Sequence, residues 1–314
     1  MKPSGHGGRL WSWTGVGRVL AATSALALAG LAASPLLLAS VGAHPLRVPL
    51  HTLPSDLGLP FETVTFESRD GLRLGGWLVP CGRPKAVLLL CHGHPANRCE
   101  TLWLADLMHR RGFACFMFDF RAMGVSEGAM SSVGALETAD VLGAIDFVTG
   151  RPELRALPVV AYGMSMGGAV CLRVAAGDTR IRGVATHGSY ATLAEAVECR
   201  ARSWLGPAGP LVARVAMQMG GRWASADLRH AGPLGTVGRL APRPVLLVHG
   251  ALDPSVPPSE ARRLQAAARG TCDVVLLPHS THAWVAPTDR AKAVGSLITF
   301  FERAAAVGSR HPAQ

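Results

Sequence analysis

The run Val159-Val160-Ala161-Tyr162-Gly163-Met164-Ser165-Met166-Gly167-Gly168 constrains this chain most, because a β-branched apolar stretch runs straight into a serine framed by glycines. The G-x-S-x-G spacing predicts a strand that turns abruptly into a helix, with Ser165 at the strained point of the turn. Side chains packed around such a turn must be small, which is the role open to Gly163 and Gly167. The first N–H groups of the following helix carry partial positive charge and aim at the space beside the serine oxygen. A five-residue match recurs by chance, and its bland reading is a small-residue turn between a strand and a helix.

A serine hydroxyl becomes a good nucleophile only when a histidine takes its proton and a carboxylate orients that histidine. Both partners occur later in the chain. Pro244-Val245-Leu246-Leu247-Val248-His249-Gly250 reads as a buried strand ahead of a polar loop that carries Asp253, the expected orienting carboxylate. Val274-Val275-Leu276-Leu277-Pro278 reads as another strand, and it leads into His279-Ser280-Thr281-His282-Ala283-Trp284, which supplies the base.

With these segments the chain resembles the α/β-hydrolase superfamily, in particular its serine-aminopeptidase-like and small bacterial esterase branches, over roughly residues 61–302. The resemblance selects His282 as base and leaves His279 as a neighbour in a supporting position. The order Ser165, Asp253, His282 is the superfamily's order. The resemblance also explains Leu90-Cys91-His92-Gly93-His94-Pro95: the backbone N–H groups of Met166 and His94 are expected to form the oxyanion hole, with His92 and Gly93 bracing the loop. Asp119-Phe120-Arg121-Ala122-Met123-Gly124-Val125-Ser126-Glu127-Gly128 is similar to the family's loop after the fourth strand. Asp119 and Arg121 are given a structural role there, and Ser126 and Glu127 are expected near the rim of the site. Ala122 stands where the family has glycine, which predicts a negative φ.

The implied fold class is α/β: an α/β-hydrolase fold with a mostly parallel eight-stranded sheet, helices on both faces and a small helical cap. One domain over 61–304 is expected, between a linker at 44–60 and a polar tail at 305–314. The 314 residues, 49% of them hydrophobic, suffice for one large core. Strand patterns at 62–68 and 72–80 flank an Asp70-Gly71 turn. Helices are expected at 100–111, 133–150, 166–176, 258–269 and 288–306. The stretch 190–240 interrupts the alternation and reads as the cap, with a crossover helix and long loop as the alternative.

Residues 19–43 are uncharged and come after a basic leader at 1–18 that holds Lys2, Arg9 and Arg18. As a helix they would extend about 37 Å at ~1.5 Å per residue, enough for a bilayer core of roughly 30 Å. A single-pass anchor with the enzyme domain outside the cytoplasm is the first expectation. A signal peptide cleaved at Val41-Gly42-Ala43 is the second, and an apolar arm on the enzyme's own surface the third.

The net charge of +10 is scattered and has no basic run alternating with aromatics, so no nucleic-acid partner is expected. The seven cysteines are an odd number. Cys91, Cys115 and Cys171 fall in core patterns, whereas Cys81, Cys99, Cys199 and Cys272 are candidates for a disulfide in an exported domain. No metal-ligand spacing or phosphate loop occurs, so neither metal nor cofactor is expected. The expected function is hydrolysis of a carboxylic ester on a small-molecule acyl substrate. Peptidase, amidase or acyltransferase chemistry on the same triad, and a non-catalytic membrane-tethered binding module, are the alternatives.

Overall fold

The computed structural model describes residues 29–270 and 272–308. Its sheet has eight strands: β1 (Glu62–Glu67), β2 (Arg73–Val79), β3 (Val87–Cys91), β4 (Ala114–Phe118), β5 (Val159–Met164), β6 (Ile181–His187), β7 (Val245–Gly250) and β8 (Cys272–Leu277). They lie in the order β1-β2-β4-β3-β5-β6-β7-β8. β1 and β2 form an antiparallel hairpin and β2 meets β4 antiparallel, while the rest pair in parallel. Every residue of β3, β4, β5 and β7 is buried, the expected result for central parallel strands covered on both faces.

Two apolar layers sandwich the sheet. On one face lie α3 (Glu137–Gly150), α4 (Met166–Ala175) and α7 (Ser259–Ala267), and on the other α2 (Leu102–His109) and α8 (Pro287–Gly308). Strand order reverses between β3 and β5, because β4 lies beyond β3 on one side and β6 beyond β5 on the other. Such a reversal opens a crevice at the carboxyl ends of the two strands, where ligands of open α/β sheets bind. Between β6 and β7 the chain forms α5 (Leu193–Leu205) and α6 (Gly209–Trp223), which pack on each other as a helical pair in place of a crossover helix and long loop.

Several local expectations need correction. The helix expected from Val133 starts at Glu137 instead, since Val133 (φ 54°) and Gly134 (φ 115°) are in the left-handed region. There the chain curls round the Glu137 carboxylate, which accepts from the hydroxyls of Ser131 and Ser132 and from the N–H groups of Ser132 and Gly134. Ala122 has φ 60°, not the negative value expected. The loop closes there through Ala122 N–H on Glu127 O at 2.8 Å, and alanine occupies the left-handed region at a cost of about 1–2 kcal/mol. Ser126 and Glu127 are not at the rim: Ser126 donates to Asp119 O and accepts from Gly75 N–H, and Glu127 pairs with Arg73. All seven cysteines, including the four disulfide candidates, are free thiols.

The apolar run 19–43 lies partly outside the described residues. Its described part is a helix over 29–43, here α1, and it does not stand free of the domain: Ala39 and Ala43 are buried against it. No helix among the described residues is long and apolar enough to cross a membrane. Of the three expectations for this run, the surface arm describes residues 29–43.

The loop after β4 is held by a buried ion pair. Arg98 Nη2 lies 3.2 Å from Asp119 Oδ2, and the guanidinium sits 4.6 Å from the Trp77 ring centroid. The Asp119 carboxylate also accepts from the N–H groups of Arg98 and Val125. Removing one member of such a pair strands the other charge away from water. Arg98→Met is expected to cost about 3 kcal/mol, read as a lower urea midpoint at unchanged m-value. A midpoint equal to that of the parent would refute the point.

Candidate active site

Ser165 stands between β5 and α4 with φ 48° and ψ −113°, a strained conformation for a residue with a side chain. Close packing around it admits only glycine. A Cβ on Gly163 would lie 2.2 Å from Gly168 N, and one on Gly167 would lie 2.5 Å from the carbonyl oxygens of Cys91 and His92. The turn is pinned from β6 and its following loop, with Ser165 N–H donating to His187 O at 2.8 Å and Ser189 Oγ donating to Ser165 O at 3.0 Å.

The loops after β7 and β8 bring the other two side chains to this point. His282 Nε2 lies 3.0 Å from Ser165 Oγ, and His282 Nδ1 lies 2.6 Å from Asp253 Oδ2. Asp253 Oδ1 accepts from the N–H groups of Ser255 (2.8 Å) and Val256 (2.9 Å). Burial by itself would raise the Asp253 pKa, but the hydrogen bond and charge of His282, with these two N–H groups, hold it below the usual carboxylate range. An ionised Asp253 fixes the Nδ1–H tautomer of His282 and leaves Nε2 free to accept the Ser165 proton.

The segment expected to form an oxyanion loop, His92-Gly93-His94, follows β3. The backbone N–H groups of Met166 and His94 have no acceptor among the described residues. His92 is a brace: its Nδ1–H donates to Gly93 O at 2.7 Å and its Nε2 accepts from Phe120 N–H at 3.0 Å. Burial lowers its pKa and keeps it neutral, as that pattern requires. Gly93 N–H donates to Glu100 Oε2 at 2.6 Å, which fixes the peptide just before His94. His279 lies beside Asp289, with Nδ1 3.5 Å from Oδ1.

Sequence reasoning missed four residues around this centre. Asp289, at the start of α8, accepts from His279 N–H and Ser280 Oγ and so pins the loop that carries His282. Gly188 (φ 62°) has no side chain where a Cβ would come within 3.1 Å of His282 Nδ1. His249 donates from Nε2 to Val256 O at 2.8 Å, beside the Asp253 carboxylate. His187 is buried at the end of β6, with Nε2 unpartnered among the described residues. Only His249, four residues before Asp253, had a readable signal.

An apolar cavity of about 220 Å³ opens over Ser165 and His282. Helices α5 and α6 line it through Val197, Trp204 and Met217, and α1 through Leu38, Ala39 and Val41. Among the described residues no carboxylate lines it, and Arg200 is its one arginine or lysine.

The comparisons agree with this architecture. The family described as serine aminopeptidase, S33, matches residues 82–230. An uncharacterized Escherichia coli protein, YfhR, is 29% identical over 231 residues, which is 70% of this chain and 73% of that protein. The Arabidopsis thaliana α/β hydrolase domain-containing protein WAV2 is 26% identical over 245 residues, 73% of this chain and 74% of its own. Among solved structures, the Pyrococcus furiosus esterase Pf2001 superposes with a TM-score of 0.70 at 18% identity, covering 83% of this chain and 97% of that one. The chain has the α/β-hydrolase fold, and over residues 82–230 it resembles the serine aminopeptidase family.

The buried histidine gives a pH dependence. Burial, with repulsion from His249 and His282, lowers the His187 pKa from 6.5 to about 4. The unfolded chain therefore takes up this proton before the folded one does. The associated stability is complete above pH 6.5 and is lost as pH falls toward about 4. His187→Gln is expected to flatten this fall, measured by urea unfolding at steps across that window; parallel curves for variant and parent would exclude the assignment.

Proposed function

We propose that the protein is a serine hydrolase that cleaves carboxylic esters with an apolar acyl group. The observation that carries this reading is the line Ser165 Oγ, His282, Asp253, with contacts of 3.0 and 2.6 Å, opening into an apolar cavity. As Ser165 Oγ attacks the ester carbonyl, His282 Nε2 takes its proton and Asp253 stabilises the imidazolium. The oxyanion is held by the N–H groups of Met166 and His94. Collapse breaks the bond to the alcohol, which receives the proton from His282. Water activated by the same Nε2 then releases the acid and restores Ser165.

A peptidase is the second reading, favoured by the description of the matched family. An enzyme that selects a free amino terminus needs an anionic group to hold the ammonium, and the cavity lining contains no Asp or Glu. That absence supports esters over aminopeptidase substrates. A panel of p-nitrophenyl alkanoates and aminoacyl anilides separates the readings. The alkanoates are expected to turn over and the anilides not, with Ser165→Ala lowering kcat by about 10⁴-fold or more and abolishing fluorophosphonate labelling. Preferred hydrolysis of the anilides would overturn the ester reading, and labelling that survives Ser165→Ala would overturn the nucleophile.

A further inference from the structure

We infer that the N-terminal helix α1 is a working wall of the acyl pocket, and that the substrate is an ester whose acyl chain is long enough to lie between α1 and the α5–α6 pair. The inference rests on the serine esterase reading above. Leu38, Ala39, Val41, Gly42 and Ala43 line the same cavity as Ser165 and His282. Val197, Trp204 and Met217 of the α5–α6 pair line it too, so α1 and that pair both offer apolar side chains to an acyl chain, with Arg200 the charged residue among them.

The wall is latched by polar contacts that a loosely adhering apolar segment would lack. His94 Nε2–H donates to Gly42 O at 2.9 Å, and Ser131 N–H donates to Ala43 O at 2.8 Å. These bonds satisfy carbonyls at the helix C-terminus that have no partner within the helix. Just beyond, the Arg47 guanidinium donates to the carbonyls of Gly124, Ser126 and Gly128 at 3.0, 2.6 and 3.1 Å. Asn97 Nδ2 donates to Val48 O and Pro49 O, continuing the attachment along the linker. The first latch joins α1 to the residue whose backbone N–H is assigned to the oxyanion. A chain cut after Ala43 would lose all five wall residues and leave the His94 ring without this acceptor. The working enzyme therefore keeps the segment through Ala43.

The wall predicts a dependence on acyl length. Each methylene buried against it is worth about fourfold in kcat/KM, the ~0.8 kcal/mol of its burial divided by RT. The test uses the full chain and p-nitrophenyl esters from acetate to decanoate, with alkyl fluorophosphonates of matched length as a probe that needs no ester turnover. In the parent both series are expected to rise with chain length. Val41→Asp sets a carboxylate in the half-exposed part of the wall, and Ala39→Phe fills the space beside it. Each is expected to lower the octanoate-to-acetate ratio of kcat/KM by about fifteenfold or more, the equivalent of two buried methylenes. Leu31→Asp, on the same helix but outside the cavity lining, is expected to leave the series as in the parent. Equal slopes in parent, Val41→Asp and Ala39→Phe would overturn the wall. If the parent hydrolyses no ester, the ester reading fails by itself. The fluorophosphonate series then decides the wall: a length dependence lost in both variants keeps it, and flat rates throughout remove it.

Discussion

The close approach of α4 to the end of β3 is the contact on which the rest of the site depends. The Gly167 backbone packs so near the Cys91 and His92 carbonyls that no side chain fits between them. This contact joins the nucleophile turn after β5 to the oxyanion loop after β3, across the one place where the strand order reverses. It also holds Ser165 in a conformation that costs about 1–3 kcal/mol. The hydroxyl is thereby presented at the mouth of the crevice, and the first N–H of α4 faces the same space. Strain and packing are here one feature: the turn that strains Ser165 is the one that brings Gly167 against β3.

The remaining machinery is held by polar braces, because loops at a sheet edge have little core of their own. Glu100 fixes Gly93, Asp119 and Arg98 fix the loop after β4, and Asp289 fixes the loop that carries His282. Each brace is a carboxylate that accepts from backbone N–H groups, so it sets backbone position as well as satisfying charge. The neutral histidines 92, 187 and 249 pack between these loops, all with pKa values lowered by burial. A buried imidazole that stays neutral can donate at one nitrogen and accept at the other, as His92 does between Gly93 and Phe120. That pairing suits a junction where one loop offers a carbonyl and the next an N–H.

Much of this was legible in sequence because central parallel strands are written as uninterrupted apolar runs, and because the serine turn demands small residues at fixed spacing. The meeting of Ser165, Asp253 and His282 is the consequence of three loops at the same edge of one sheet. What could not be read depends on neighbours remote in the chain. His187 gains its place from β6 lying beside β7, with His187 opposite Val248 in register. Gly188 matters only because His282 passes beside it, 94 residues further along. At Ala122 the residue type pointed to a negative φ, but the loop closes on itself through Ala122 N–H on Glu127 O and Val125 N–H on Asp119, and these bonds outweighed a local cost of about 1–2 kcal/mol. At Val133 the apolar pattern suggested helix, while the Glu137 carboxylate offered the preceding N–H groups and hydroxyls a better acceptor than another turn of helix would.

The N-terminal run is the instructive case, because hydropathy alone does not distinguish a membrane span from a pocket wall. Both require an apolar helix, and both exclude charge over the same residues. The distinction lies in the contacts made at the end of the run and just beyond it. A span needs only a polar flank, whereas a wall must be fixed in register against one particular surface, and directional hydrogen bonds provide that. His94 on Gly42, Ser131 on Ala43 and the Arg47 fork on the carbonyls of Gly124, Ser126 and Gly128 are such bonds. The carbonyls that Arg47 holds belong to the loop that Asp119 and Arg98 fix from the other side. Hydrogen bonds thus tie the end of α1 to the loop after β3, and the linker just beyond it to the loop after β4.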